Sequence, residues 1–468
     1  MNLVTKQQRL IRVSGPSPFV TCTVGGPGRV YVNTAVEPYL ATGPDPLNNN
    51  QNILVGMWQE DRWANGGAHG LLASYSTDGG STWNRSSIPP FSACVVPQLP
   101  YKRASDPWIS IGPDGRVYAT AVSLSIAPNG TQVQLSAITT LTSSNGGRTW
   151  ENFRVIKTDQ GPTKRNDKET ITADPNQEGL AYVVWDRNAD NTASTWFSRT
   201  LDGGRSWSKP KIIFNPGTDN ETIGNEILVD PHSGVLYNIF SLVLGRTTRN
   251  PRIFILIQKS LNKGRTWSSG KVIAEILSVG VIDPVTNQLI RGSGDVLASV
   301  TLDSNNGNLY VSWEDSRPSG GKIDEIVISR STDGGETWSR PARVNPSLGL
   351  PCFTPTVRIN QSGVVGVSYY IFNSLTHPIT TIPINYYFSY SRDFGTTFAS
   401  SQKITGPFNM LRAPRERREP FSAGLFLGDY QGMTTIGNRF HLFFAKTNPP
   451  THMNRTDIYT TVVNVNGR

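Results

Sequence analysis

Hydrophobic and polar residues alternate in short runs along almost the whole chain. Segments such as "HGLLASY", "STWFSR", "EIVISR" and "NLYVSWEDSR" are rich in β-branched and aromatic residues. Gly, Pro, Asn and Asp clusters bound them, which is the period-two signature of strands joined by turns. Even the longer apolar stretches, such as "IFILI" at 253–257, are strand-sized. They are far short of the ~20 residues that cross a bilayer as a helix. The pattern predicts an all-β chain with no membrane-spanning helix.

One turn string recurs. "STDGGSTW" (76–83) is followed by "SSNGGRTW" (143–150), "TLDGGRSW" (200–207), "SLNKGRTW" (260–267), "STDGGETW" (331–338) and "SRDFGTTF" (391–398). The closing aromatics Trp83, Trp150, Trp207, Trp267, Trp338 and Phe398 are spaced by 67, 57, 60, 71 and 60 residues, so the chain is a repeat architecture. In each copy the Asp or Asn is suited to accept N–H bonds inside its own turn, and glycine supplies positive φ. The terminal aromatic is expected to fold back on the hairpin.

Two further strands precede each hairpin: "ETITADP" and "GLAYVVWDR" in the third repeat, "VLASVTLD" and "NLYVSWEDSR" in the fifth. Four antiparallel strands per repeat is a propeller blade. After Phe398 the chain holds three more strands, in "GDYQGMTTIG", "NRFHLFFAKT" and "DIYTTVVNV". The N-terminal "QRLIRVSG" is expected to supply their missing fourth and close the ring, which removes exposed edges. The expected organisation is one seven-bladed β-propeller domain. Its blades lie near 30–100, 101–160, 161–216, 217–280, 290–346, 350–408 and 420–468, plus a strand at 7–15.

The turn string resembles the Asp box, or bacterial neuraminidase repeat, of the sialidase superfamily. That superfamily's sialidases have six blades, the alternative count. The resemblance implies a carbohydrate-active propeller that is extracellular or at the cell surface. It also implies a Tyr nucleophile with a Glu partner, an Asp acid/base and an arginine triad for the substrate carboxylate. The family's Arg-Ile-Pro motif is absent from this chain.

Composition adds limits. The 44 Gly and 32 Pro fit many turns. The net charge of +9 is spread along the chain, so it does not single out nucleic acid as a partner. The start, "MNLVTKQQRLIRVSG", has no continuous apolar core of a secretory signal, so the chain reads as cytoplasmic or as lacking a removed leader. Cys22, Cys94 and Cys352 read as three buried thiols, with a Cys22–Cys94 pair as the alternative. No metal or cofactor is expected.

Candidate chemistry lies in the segments leading into the innermost strands. These are "AVEPYLA", "YKRASDPW", "TKRNDKET", "NETIGNEI", "LIRGSGDV", "LPCFTPT" and "LFLGDYQGM". Carried onto them, the resemblance makes Tyr430 the nucleophile, Glu226 (or Glu221) its partner, and Asp106 or Asp167 the acid/base, with Glu169 beside them. Arg103, Arg165 and Arg291, with Asp295 and Asp429, are the candidate substrate-binding residues. Arg grips a carboxylate bidentately while carboxyl groups move protons. The plainer reading is that such pairs tie neighbouring blades together. So, in particular, do Asp61–Arg62, Asp186–Arg187 and Asp315–Arg317. The basic "LRAPRERREP" (411–420) reads either as a solvated loop or as a flap over the site. The leading function is a monomeric exo-glycosidase acting on an acidic (sialic or uronic) sugar. A lectin-like glycan-binding module and a uronate lyase are the alternatives.

Overall fold

The computed structural model describes residues 9–130, 132–291, 296–398, 400–416 and 424–466. They are all-β: the helical segments among them are two short 3-10 turns, Arg317–Ser319 and Met410–Arg412. No helix among them is long and apolar enough to cross a membrane.

The strands pair as four-stranded antiparallel meanders in chain order. The innermost strands of the first four are Val30–Asp45, Arg103–Ile111, Lys164–Ala173 and Asn220–Val229. Those of the next three are Ser299–Leu302, Cys352–Ile359 and Gly432–Ile436. The seventh meander has Arg439–Thr447 and Thr456–Asn464 as its next strands, and its fourth is the N-terminal Ile11–Arg12. Ile11 pairs with Thr460 and Arg12 with Tyr459. Ser14 extends the tie by donating its hydroxyl to Asp457 at 2.7 Å.

Two strand starts differ from expectation. Leu289–Arg291 does not open the fifth meander; it runs parallel to Gly424–Phe426, which also pairs with Arg415–Glu416. The fifth innermost strand begins only at Ser299, and the seventh at Gly432. Alternation could not place Leu289–Arg291, because its partner strand is distant in sequence.

The recurring turns form as their residues dictate. Asp78, Asn145, Asp202, Asn262, Asp333 and Asp393 each accept the backbone N–H of the residue four positions on, at 2.8–3.0 Å. Bonds from the Thr337 hydroxyl and N–H hold the Asp333 carboxyl well below the usual range. The aromatics reach across to the preceding meander as well as closing the hairpin. Trp83 packs on Phe443 (5.4 Å between centroids) and Trp267 on Phe197 (5.6 Å). Gly264 is required here: its φ is +79°, and a Cβ would lie 2.2 Å from the Phe197 ring.

The Trp-Asp segments act mainly as braces, with some partners other than those expected. Arg187 grips Asp159 of the preceding meander through two bonds of 2.6 Å, not its neighbour Asp186. Arg62 pairs with Glu416 at 3.2 Å, while Asp61 accepts from Ser17, Asn33 and His69. Asp315 does pair with Arg317, at 2.6 Å. Trp58, Trp185 and Trp313 lie fully buried beside these braces.

The reading of three free thiols is corrected. Cys22 and Cys94 form a disulfide with Cα atoms 5.7 Å apart, and only Cys352 is free and buried. The pairing joins residues 72 apart in sequence, which spacing could not reveal.

Candidate active site

The innermost strands carry a recurring irregularity. Register slips between Val36 and Tyr39, Ser105 and Trp108, Asp167 and Thr170, Ile223 and Glu226, and Phe353 and Thr356. Each is a β-bulge, which re-aims side chains where a ladder is interrupted. Its first residue has positive φ: Glu37 (53°), Asp106 (53°), Lys168 (43°), Gly224 (68°) and Thr354 (52°). Four of the five are not glycine, so each holds backbone strain of ~1–2 kcal/mol.

The bulges bring an ammonium among carboxylates. Lys168 Nζ lies 2.6 Å from Asp429, 3.4 Å from Glu37 and 3.5 Å from Asp106, which keeps those three oxygens within about 7 Å of one another. All four residues are buried. Burial works against the Lys168 charge, but Asp106, Asp429 and Glu37 outweigh it and hold its pKa well above the usual value. Glu37 is pushed up to about 8, chiefly by burial, against the pull of Lys168. It is held by Gln59 Nε2 and by the Asp429 N–H. Glu169, also buried, is raised well above the carboxylate range by burial and then by the Asp106 charge. Neither of its oxygens has a hydrogen-bond partner among the described residues.

Three cavities lie in series. The central one takes side chains from all seven meanders, among them Tyr39, Asp106, Lys168, Glu226, Thr354 and Tyr430. Asp106, Lys168 and Asp429 also line a cleft of about 700 Å³, with Arg29, Arg62, Arg165 and Arg415 on its walls. Tyr39, Trp108, Glu226 and Arg358 also line a third cavity of about 330 Å³.

The expected residues divide between these spaces. Asp106 and Asp429 meet at Lys168, and Glu169 lines the central cavity. Asp167 and Arg165 pair at 3.5 Å on the wall of the large cleft. Glu226 faces the other way, beside Arg358; burial, opposed by that arginine, pushes it up to about 7.

Three expectations need correction. Tyr430 is not paired with Glu226. Its hydroxyl donates to the Pro107 carbonyl at 2.9 Å, and its ring meets Trp108 and Tyr39 edge-on. Burial and then the surrounding carboxyl groups raise its pKa. Arg103 holds no open position: it is buried and donates to the carbonyls of Gly25, Gly66 and Pro27 and to Asn65. Arg291 belongs to the Leu289–Arg291 strand, outside the innermost set. Asp295 lies outside the described residues. Of "LRAPRERREP", Arg415 and Glu416 line the large cleft, while 417–420 lie outside the described residues.

Lys168, Glu37, Tyr39 and Arg358 were not selected from sequence as site residues. A faint signal existed: Glu37, Asp106 and Thr354 each precede proline. A bulge tolerates a residue without an N–H.

Comparison with known proteins adds the following. The family model described as "BNR/Asp-box repeat" matches residues 329–340, the fifth copy of the turn. No curated protein matches. Similar solved structures include a Penicillium chrysogenum alpha-L-arabinanase complexed with arabinobiose. It shows 15% identity and a TM-score of 0.47, over 74% of this chain and 91% of that one. The Hadza microbial sialidase Hz136 shows 11% and 0.48, over 98% and 95%. A Trypanosoma rangeli sialidase in complex with sialic acid shows 10% and 0.43, over 97% and 58%. The turn read from the sequence is thus a BNR/Asp-box repeat, the mark of the sialidase-like superfamily that this chain resembles.

Proposed function

We propose that the seven meanders form one propeller domain closed by the N-terminal strand, and that the large cleft hydrolyses a glycosidic bond of an acidic sugar. The observation that supports this most is the Lys168 cluster: Asp106 and Asp429 share the floor of a sugar-sized cleft, and Asp106 also borders the central cavity that Glu169 lines. Hydrolysis needs one carboxyl group that gives a proton and one that takes it. Glu169, on the central cavity beside the cleft and raised above the carboxylate range by burial, is the donor to the leaving oxygen. Asp106, facing Lys168, takes the proton from the attacking water. Asp429 holds Lys168 in place, and Glu37 holds Asp429. Tyr430 and Trp108 form an aromatic wall.

Acidic-sugar preference rests on Arg29 and Arg165 on the cleft wall. Arg62 is committed to Glu416 and grips no substrate. The protein acts as a monomer outside the cell, where its disulfide is stable.

The test is turnover of fluorogenic sialosides and uronides by the wild type, Asp106→Asn and Glu169→Gln. Turnover that falls at least ~10²-fold in both variants, with the fold intact, supports the reading. Tight glycan binding without turnover replaces it with a lectin-like role. Turnover that survives both substitutions removes the assigned roles.

A further inference from the structure

Behind the cleft wall lies a cluster that the proposed hydrolysis does not use. Residues 22–29 cross the first two meanders as a strap, and Gly28 and Arg29 at its end line the large cleft. Arg103 and Asn65 hold the strap through the carbonyls of Gly25 and Pro27, and the Cys22–Cys94 disulfide fastens its start. His69 stands against that disulfide. A ring nitrogen of His69 and the two sulfurs all lie within 4.8 Å of one another.

The imidazole is already oriented as a metal ligand. Its Nδ1 lies 3.2 Å from Asp61 Oδ2. The carboxylate can only accept, so Nδ1 is the donor in this contact and Nε2 is the nitrogen left for a metal. Asp61 is itself fixed by the Ser17 hydroxyl and the Asn33 N–H, both at 2.7 Å. The Trp63 ring packs on the imidazole edge at 5.4 Å between centroids. A carboxylate orienting a histidine is the usual outer shell of a zinc ligand. His69 is buried while both cysteines are partly exposed, so a metal has a way in.

We propose that the reduced form of this clasp binds one Zn²⁺ through Cys22, Cys94 and His69, with water as the fourth ligand. A phosphine or dithiol reductant supplies two electrons, and two protons complete the opening of the S–S bond to two thiols. Zn²⁺ then displaces both thiol protons, and the His69 nitrogen not bonded to Asp61 completes the protein ligands. Two thiolates and an imidazole form a donor set that suits a tetrahedral d¹⁰ ion. The strap therefore has two chemical fastenings, one oxidised and one metallated.

The experiment uses the full chain, reduced anaerobically with a phosphine, and cobalt(II) as the probe. The expected result is one cobalt per chain with thiolate-to-cobalt charge-transfer absorption, displaced by zinc and absent from the oxidised protein. Cys22→Ser abolishes the absorption, and Cys352→Ser leaves it unchanged. Asp61→Asn keeps all three ligands but weakens cobalt binding by about 10- to 100-fold. Reduced protein that shows no such absorption, or loses its β-sheet circular dichroism on reduction, overturns the proposal. So does absorption that persists in Cys22→Ser.

Discussion

At the six recurring turns one arrangement repeats almost unchanged: an Asp or Asn accepts the N–H four residues on, and an aromatic closes the hairpin. Around the central cavity the backbone also repeats, but the side chains do not. The same bulge presents Glu37, Asp106, Lys168 and Gly224 in the first four meanders and Thr354 in the sixth. The turns satisfy their polar groups locally and tolerate exposure. The central groups are buried, strained and dependent on partners from other meanders. Repetition of backbone with divergence of side chains is what a scaffold carrying a single site requires.

The sharpest way to break this contrast is Lys168→Met. It leaves Asp106 and Asp429 buried around a missing cation, and an expected loss of about 3–5 kcal/mol follows in urea unfolding. A loss below about 1 kcal/mol means the cluster is no more coupled than a turn.

Next comes pH. The folded chain holds the Glu37 proton up to about pH 8, whereas an unfolded glutamate releases it near 4.5. The native state thus binds the extra proton between those values, and this contribution to stability is lost as pH rises through them. Stability should decline by roughly 3–4 kcal/mol from pH 5 to 8 through this group. Glu37→Gln should flatten that decline, measured as unfolding free energy against pH. An unchanged slope places the proton elsewhere.

At the turns the effects are smaller. Gly264→Ala combines positive φ with contact against Phe197 and should cost about 2 kcal/mol, read from the denaturation midpoint. Asp78→Ala removes bonds from the Thr82 N–H and hydroxyl and should cost only ~1 kcal/mol. If Asp78→Ala matches Lys168→Met, turns and centre do not differ in kind.

By itself the sequence determined the strands, the recurring turns and the grouping of four strands per repeat. It also marked the ends of the chain as partners in one meander. These features rest on interactions within a few residues, or on a period that recurs down the chain, so they can be read in order. Tertiary structure alone decided which ionisable groups meet. Arg103 and Asp106 are three residues apart, yet one is committed to backbone carbonyls while the other faces Lys168. Tyr430 and Glu226 both line the central cavity, but they take different partners. The Cys22–Cys94 bond and the Leu289–Arg291 ladder were hidden for the same reason. Each joins segments distant in the chain, and burial set by the whole fold, not residue type, raises the pKa of Glu37 and Glu169.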